Sequence, residues 1–166
     1  IGLISTNSYI FNGTILDNLL VGKKDATEEE IKKALETARL YEFVQGLKDK
    51  LNTNVGEGGN ALSGGQKQRL ALARAILADR KMIVFDEATS NIDVESEEAI
   101  WEAIYDLSKD KTILVISHRL ANVKEAKKIY VMNKGDLVEE GTHTELMNLK
   151  GYYNNMVNKQ NELEEI

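Results

Sequence analysis

The apolar positions of this chain change period several times, and each change marks an element. Ile31, Ala34, Leu35 and Ala38 recur at helical spacing behind Thr27, with Glu30 in the capping-box position. Thr14 opens a shorter helix in the same way, with Asp17 three residues on, and a further short helix is predicted over 41–47. Leu70, Leu72, Ala73, Ile76 and Leu77 alternate with Lys67, Gln68, Arg69 and Arg74, a helix that Ser63 is placed to cap. Met82-Ile83-Val84-Phe85 is a continuous apolar run closing on Asp86-Glu87, the pattern of a strand buried on both faces. Asp93 caps the next helix, in which Ile100, Ile104 and Leu107 repeat at i, i+4, i+7. Residues 112–117 read as a second buried strand that ends at His118, and 1–5 as a buried strand end. Residues 128–132 and 136–140 flank Asn133-Lys134-Gly135 as a hairpin, and Thr142 with Glu145 opens a last helix toward Gln160. The Gly- and Asn-rich stretch 48–61 is predicted as a long loop.

Strand, helix, strand over 82–117 is a parallel crossover unit, which is right-handed. The predicted layout is a helical block, 14–77, set before a parallel α/β core, 82–120, with a hairpin and a helix at the end. Ligands of such sheets sit at the carboxyl ends of the strands, and Asp86, Glu87 and His118 all fall there.

Composition narrows the class. The 166 residues suffice for one ordinary domain, and 42% apolar with 29% charged residues is a globular balance. The absence of cysteine excludes disulfides and thiolate metal sites. A net charge of −6 and the lack of basic stretches with interleaved aromatics argue against a nucleic-acid partner. No apolar run is long enough to span a bilayer. With no Met at position 1 and a strand already under way at Ile1-Gly2-Leu3, the chain is expected to be a piece of a longer protein.

Candidate chemistry then falls on a few residues. Leu62-Ser63-Gly64-Gly65-Gln66 stands at a helix start, where first-turn amides are unpaired and the helix dipole is positive. Two glycines without Cβ let an anion approach the backbone, although spare glycines at a helix start are the plainer explanation. Adjacent carboxylates closing a buried strand are costly unless paired or metal-bound. Asp86 is placed to hold Mg²⁺, directly or through water, and Glu87 to orient and polarise an attacking water as general base. The plainer alternative is an acidic pair that starts a loop. His118 is placed to donate a hydrogen bond to a phosphate oxygen, whereas His143, inside a capping box, reads as structural or solvent-exposed. No pair of histidines has metal-ligand spacing, and no nucleophile elbow is present.

In this order, Ser63-Gly64-Gly65-Gln66, the strand ending at Asp86-Glu87, and His118 give the chain a resemblance to the nucleotide-binding domain of ABC transporters, over essentially its whole length. The fold implied is a partial P-loop NTPase (ABC ATPase) fold of class α/β, with a mostly parallel sheet, an inserted helical subdomain and a C-terminal hairpin plus helix. Residues 1–166 would be a fragment of one ATP-binding domain, with 14–77 as the helical and signature subdomain and 1–13 and 78–166 as parts of the catalytic core.

By the same resemblance, Leu62–Gln66 is similar to the signature motif that completes the ATP site of the opposite subunit. Asp86 resembles the Walker B aspartate that serves Mg²⁺, Glu87 the catalytic glutamate and His118 the switch histidine. Ser90-Asn91-Ile92-Asp93 resembles the D-loop that couples the two sites, with Ser90 and Asp93 implied to be cofactor-binding. Thr53–Gly58 resembles the exporter loop that touches the coupling helices of a transmembrane domain, and 6–13 is the second such segment. The implied cofactors are ATP and Mg²⁺. The implied partners are a second ATP-binding domain, in a homo- or heterodimer, and a transmembrane domain. The implied location is the cytoplasmic face of a membrane, and the implied role is coupling ATP hydrolysis to export.

Two departures qualify it. No G-x-x-x-x-G-K-[ST] loop occurs, and the sole Gly-Lys, Gly22-Lys23, is followed by Lys24 with Asp17 five residues before the glycine. The family carries that loop upstream, so this segment alone is expected not to hydrolyse ATP. Where the family has a glutamine beside the metal and the membrane domain, this chain has the shorter Thr6. The rival expectations are a non-catalytic, signature-bearing half of an asymmetric pair, and a soluble ABC-type ATPase outside transport. The absence of long coiled-coil or basic insertions speaks against the second.

Overall fold

The computed structural model describes residues 1–6, 8–89 and 92–164. They form two compact units, Ile1–Ile116 and Ser117–Ile166.

The first unit is built on a parallel three-stranded sheet in the order β1 (Gly2–Ser5), β2 (Met82–Asp86), β3 (Thr112–Ile116). Gly2 pairs with Ile83 and Ser5 with Asp86 on one side of β2, and Met82 with Thr112 and Asp86 with Ile116 on the other. All three strands therefore end level, and their carboxyl ends line one edge. Five helices belong to this unit among the described residues: α1 (Ile15–Leu20), α2 (Glu28–Thr37), α3 (Tyr41–Gly46), α4 (Gly64–Leu77) and α5 (Val94–Leu107).

Local sequence starts most of these helices. Thr14 with Asp17, and Thr27 with Glu30, close the predicted capping boxes. Ser63 caps α4, and Gln66 returns the bond, its side chain accepting from the Ser63 amide. Asp93 caps α5 by accepting from the Ser96 amide. Each such cap contributes about 1 kcal/mol. The predicted apolar faces are the buried ones: Ile31, Ala34 and Leu35 of α2, Leu70, Leu72 and Leu77 of α4, and Ile100, Ile104 and Leu107 of α5 join a single core with Ile83 and Phe85 of β2.

The sheet differs from expectation at its margins. Central β2 buries Ile83 and Phe85, with Met82 and Val84 half-buried. The outer strands were predicted buried and are not. In β1 only Ile4 is buried, and Leu3 is 66% exposed. In β3, Leu114 and Ile116 are 41% and 49% exposed. An apolar run shows that a strand can be covered on both faces, but the cover itself must come from other elements. The stretch predicted as loop, 48–61, also contains two 3-10 turns, Lys50–Asn52 and Glu57–Gly59.

The second unit holds an antiparallel hairpin, β4 (Ile129–Asn133) and β5 (Asp136–Gly141), with α6 (His143–Leu149) and α7 (Tyr152–Glu164). The hairpin was predicted. Its turn residues Lys134 and Gly135 both have positive φ, 51° and 93°, as a two-residue hairpin turn requires. The single last helix expected here is two helices instead. Lys150 adopts the left-handed conformation and ends α6, and the Glu139 carboxylate accepts from the Tyr152 and Tyr153 amides to start α7. A small core of Leu120, Ile129, Val131, Leu146, Tyr153 and Val157 holds the unit together. His143 is structural, with Nδ1 2.9 Å from the Tyr153 hydroxyl.

Candidate functional site

Asp86 is the last residue of β2, half-buried, and Glu87 follows it, exposed, at the edge where the parallel strands end. Glu87 has φ 49°, a left-handed backbone that costs a non-glycine residue roughly 1–2 kcal/mol. The strain is held from both sides. The Glu87 amide donates to the Ile116 carbonyl at 3.0 Å, and its own carbonyl accepts from the Thr6 hydroxyl at 3.1 Å. Glu87 is thereby fixed just beyond the carboxyl end of β2.

No group of three or more potential metal-ligating side chains exists among the described residues. Mg²⁺ does not need one, because it keeps several waters and takes one or two carboxylates plus phosphate oxygens. No hydrogen bond or ion pair among the described residues engages the Asp86 carboxylate. A half-buried anionic oxygen donor at a strand end fits that mode of binding.

The start of α4 lies in the same unit. Ser63 and Gly64 are exposed and Gly65 is buried. The capping box engages the Ser63 and Gln66 amides, so the Gly64 and Gly65 amides are the first-turn donors left for an anion. Leu62 is buried and anchors the turn in the core.

Two polar residues of α4 that sequence reasoning passed over tie this helix to its surroundings. Gln68, buried, donates from Nε2 to the Ser5 carbonyl at 3.0 Å and the Thr6 carbonyl at 2.8 Å. Arg69 donates to the Arg39 carbonyl at 2.9 Å, and the Arg39 side chain reaches Glu102 and Asp106 of α5, each at 3.1 Å. A signal for Gln68 was present: it shares a helix face with Gly65 and Leu72, and a polar group in a buried stripe needs partners.

Asp93 lies at the start of α5, exposed, its carboxyl held below the usual carboxylate range first by the Ser96 amide. Ser90, named with it from the sequence, lies outside the described residues. His118 belongs to the second unit, exposed in a bend two residues beyond β3. There the Ser117 hydroxyl accepts from the Arg119 amide at 3.0 Å and turns the chain.

The segments 6–13 and 53–58 meet. The Val55 amide donates to the Gly13 carbonyl at 2.8 Å and the Ile15 amide to the Thr53 carbonyl at 3.0 Å. At Gly59 a Cβ would come within 2.9 Å of Ile10, so the two stretches touch closely. On this joint surface Tyr9 and Phe11 stand 62% and 42% exposed, packed edge to face with centroids 5.0 Å apart.

Residues 1–90 match the family model described as ABC transporter. An ATP-dependent lipid A-core flippase of Desulfotalea psychrophila is 44% identical over 96% of this chain and 28% of its own length. An ABC transporter ATP-binding protein of Haemophilus influenzae is 49% identical over 100% of this chain and 30% of its own. A multidrug export ATP-binding/permease protein of Staphylococcus aureus is 44% identical over 97% and 28%. Among solved structures, a bacterial Atm1-family ABC exporter with ATP bound superposes with a TM-score of 0.87 at 34% identity, over 96% of this chain and 28% of that one. The chain thus spans less than a third of the length of the relatives it matches, and its mixed α/β architecture is part of a P-loop NTPase fold.

Proposed function

This chain belongs to the ABC transporter family, and from that premise we propose that it forms part of the ATP-binding domain of a membrane exporter, where ATP hydrolysis at a dimer interface drives transport. The observation that carries this reading is the Asp86-Glu87 pair at the carboxyl end of the central parallel strand, with Glu87 exposed and in a left-handed backbone. Glu87 takes the role of general base, holding the attacking water and accepting its proton. Asp86 holds Mg²⁺, directly or through water, and the ion when bound neutralises charge on the phosphates. Thr6, whose hydroxyl engages the Glu87 carbonyl, serves position rather than the metal. His118 contributes a hydrogen bond to a phosphate oxygen.

The phosphate-binding loop that such a site needs does not occur within these 166 residues, so the reading assigns it to another segment of the protein that carries this chain. Leu62, Ser63, Gly64, Gly65 and Gln66 then face ATP held by a second ATP-binding domain, the Gly64 and Gly65 amides donating to its terminal phosphate. Ser90 and Asp93 serve as the cofactor-binding residues of the segment that couples the two sites. The joint surface of 6–13 and 53–58, with Tyr9 and Phe11 exposed, supports docking of a transmembrane domain through its coupling helices. Among the described residues no helix is long and apolar enough to cross a membrane, so the proposed place at the cytoplasmic face rests on that partner.

The test is Glu87→Gln in the full-length transporter. Removing the general base lowers turnover at least about 100-fold while ATP binding persists. Unchanged turnover overturns the assignment. On the same reading this chain alone shows no ATP hydrolysis.

A further inference from the structure

Gln68 and Thr6 form a relay that joins α4 to the backbone of Glu87. Gln68 Nε2 donates to the carbonyls of Ser5 and Thr6, at 3.0 and 2.8 Å, and the Thr6 hydroxyl donates to the Glu87 carbonyl at 3.1 Å. We propose that Gln68 and Thr6 are positioning residues for the general base: the Gln68 carboxamide fixes the end of β1, and Thr6 from there fixes the left-handed turn that aims Glu87. The inference rests on the catalytic role proposed above for Glu87.

A non-glycine residue at φ 49° relaxes unless its peptide groups are held. The amide side is held by β3 through the Ile116 carbonyl. On the carbonyl side, past the end of β2 at Asp86, Thr6 supplies a bond. Thr6 can do so only if its own backbone stays in place, and β1 also ends one residue before it, at Ser5. Gln68 closes that gap. It is 5% exposed, and its Oε1 has no protein partner, so its hold on β1 runs wholly through the Nε2 donations. Because Gln68 stands one turn into the helix whose N-terminus is Ser63-Gly64-Gly65, the general base and the anion-facing helix start share one hydrogen-bonded frame. A base displaced by a fraction of an ångström loses rate without losing substrate.

The experiment is steady-state ATP hydrolysis by the full-length transporter carrying Thr6→Val, Thr6→Ser, Gln68→Glu or Glu87→Gln, each checked for folding by thermal melting. Thr6→Val is isosteric and lacks the donor. Gln68→Glu keeps the size and sets an acceptor against the two carbonyls. Both are expected to lower kcat about tenfold, the equivalent of one hydrogen bond, with KM for ATP within about twofold. Thr6→Ser, which restores the donor, is expected to keep kcat within about twofold of the unmodified protein. If Thr6→Val melts early, Thr6→Ala against Thr6→Ser makes the same comparison. Unchanged kcat in Thr6→Val, or equal losses in Thr6→Val and Thr6→Ser, overturns the relay while a dead Glu87→Gln leaves the role of Glu87 standing. A fully active Glu87→Gln overturns both.

Discussion

Ser96 occupies the space that a side chain on Gly65 would need: a Cβ there would lie 2.0 Å from the Ser96 Oγ and 2.3 Å from its Cβ. The second glycine of Ser63-Gly64-Gly65 is therefore required by packing between the first turns of α4 and α5, whatever it does for an anion. The same contact brings the Asp93 carboxylate within 3.1 Å of that Cβ position, so the start of α4 and the cap of α5 are set against one another.

Gly65→Ala is expected to destabilise the protein by about 1–3 kcal/mol, the usual cost of forcing atoms into a packed contact. Ser96 is fixed at the helix start by Asp93, so it cannot swing away cheaply. The double variant with Ser96→Gly should cost less than the sum of the two single changes, because it removes the clash. Denaturant midpoints of the four proteins test this, and simple additivity would refute the packing explanation.

Acid should unfold the chain through its helix caps. Asp17 and Glu145 are held below their ordinary values first by the backbone amides of Thr14 and Thr142, and Glu30 first by the Lys23 ammonium and then by the Thr27 amide. A carboxyl whose folded value is depressed contributes stability that is fully present above its unfolded value and is lost as pH falls through the folded one. The ordinary values are 3.8 for Asp and 4.5 for Glu, so Tm should be flat near neutrality and fall below about pH 4.5. Glu30→Gln and Glu145→Gln should lower Tm at neutral pH and flatten the acid limb. An acid limb unchanged in both variants would show that the caps do not control it.

The outer strand β3 should make this chain self-associate. It pairs on one side with β2, and Leu114 and Ile116 are largely exposed. An open strand edge with apolar side chains is a template for another chain. Analytical ultracentrifugation at micromolar concentration should show dimers or larger species, and Ile116→Lys should reduce them. A monodisperse monomer that melts cooperatively would contradict the expectation.

What the sequence determined by itself is local. Thr14–Asp17, Thr27–Glu30, Thr142–Glu145, and the caps at Ser63 and Asp93, act across three residues, so residue identity and spacing suffice to place them. The apolar periods of α2, α4 and α5 and the run ending at Asp86-Glu87 were readable for the same reason, and they located the candidate site on its elements. The tertiary structure decided what depends on partners distant in the chain. It set Gln68 against Ser5, Thr6 against Glu87 and Ser96 against Gly65, and it laid 53–58 beside 13–15. It left β3 half-covered, and it split the last helix where the Glu139 carboxylate meets the start of α7. A hydrogen bond or a steric limit across 30–80 residues leaves no period in the sequence, because neither partner alone carries the constraint. Gln68 comes nearest to an exception: its amide stands in a buried stripe, and that stripe announces a partner without saying which.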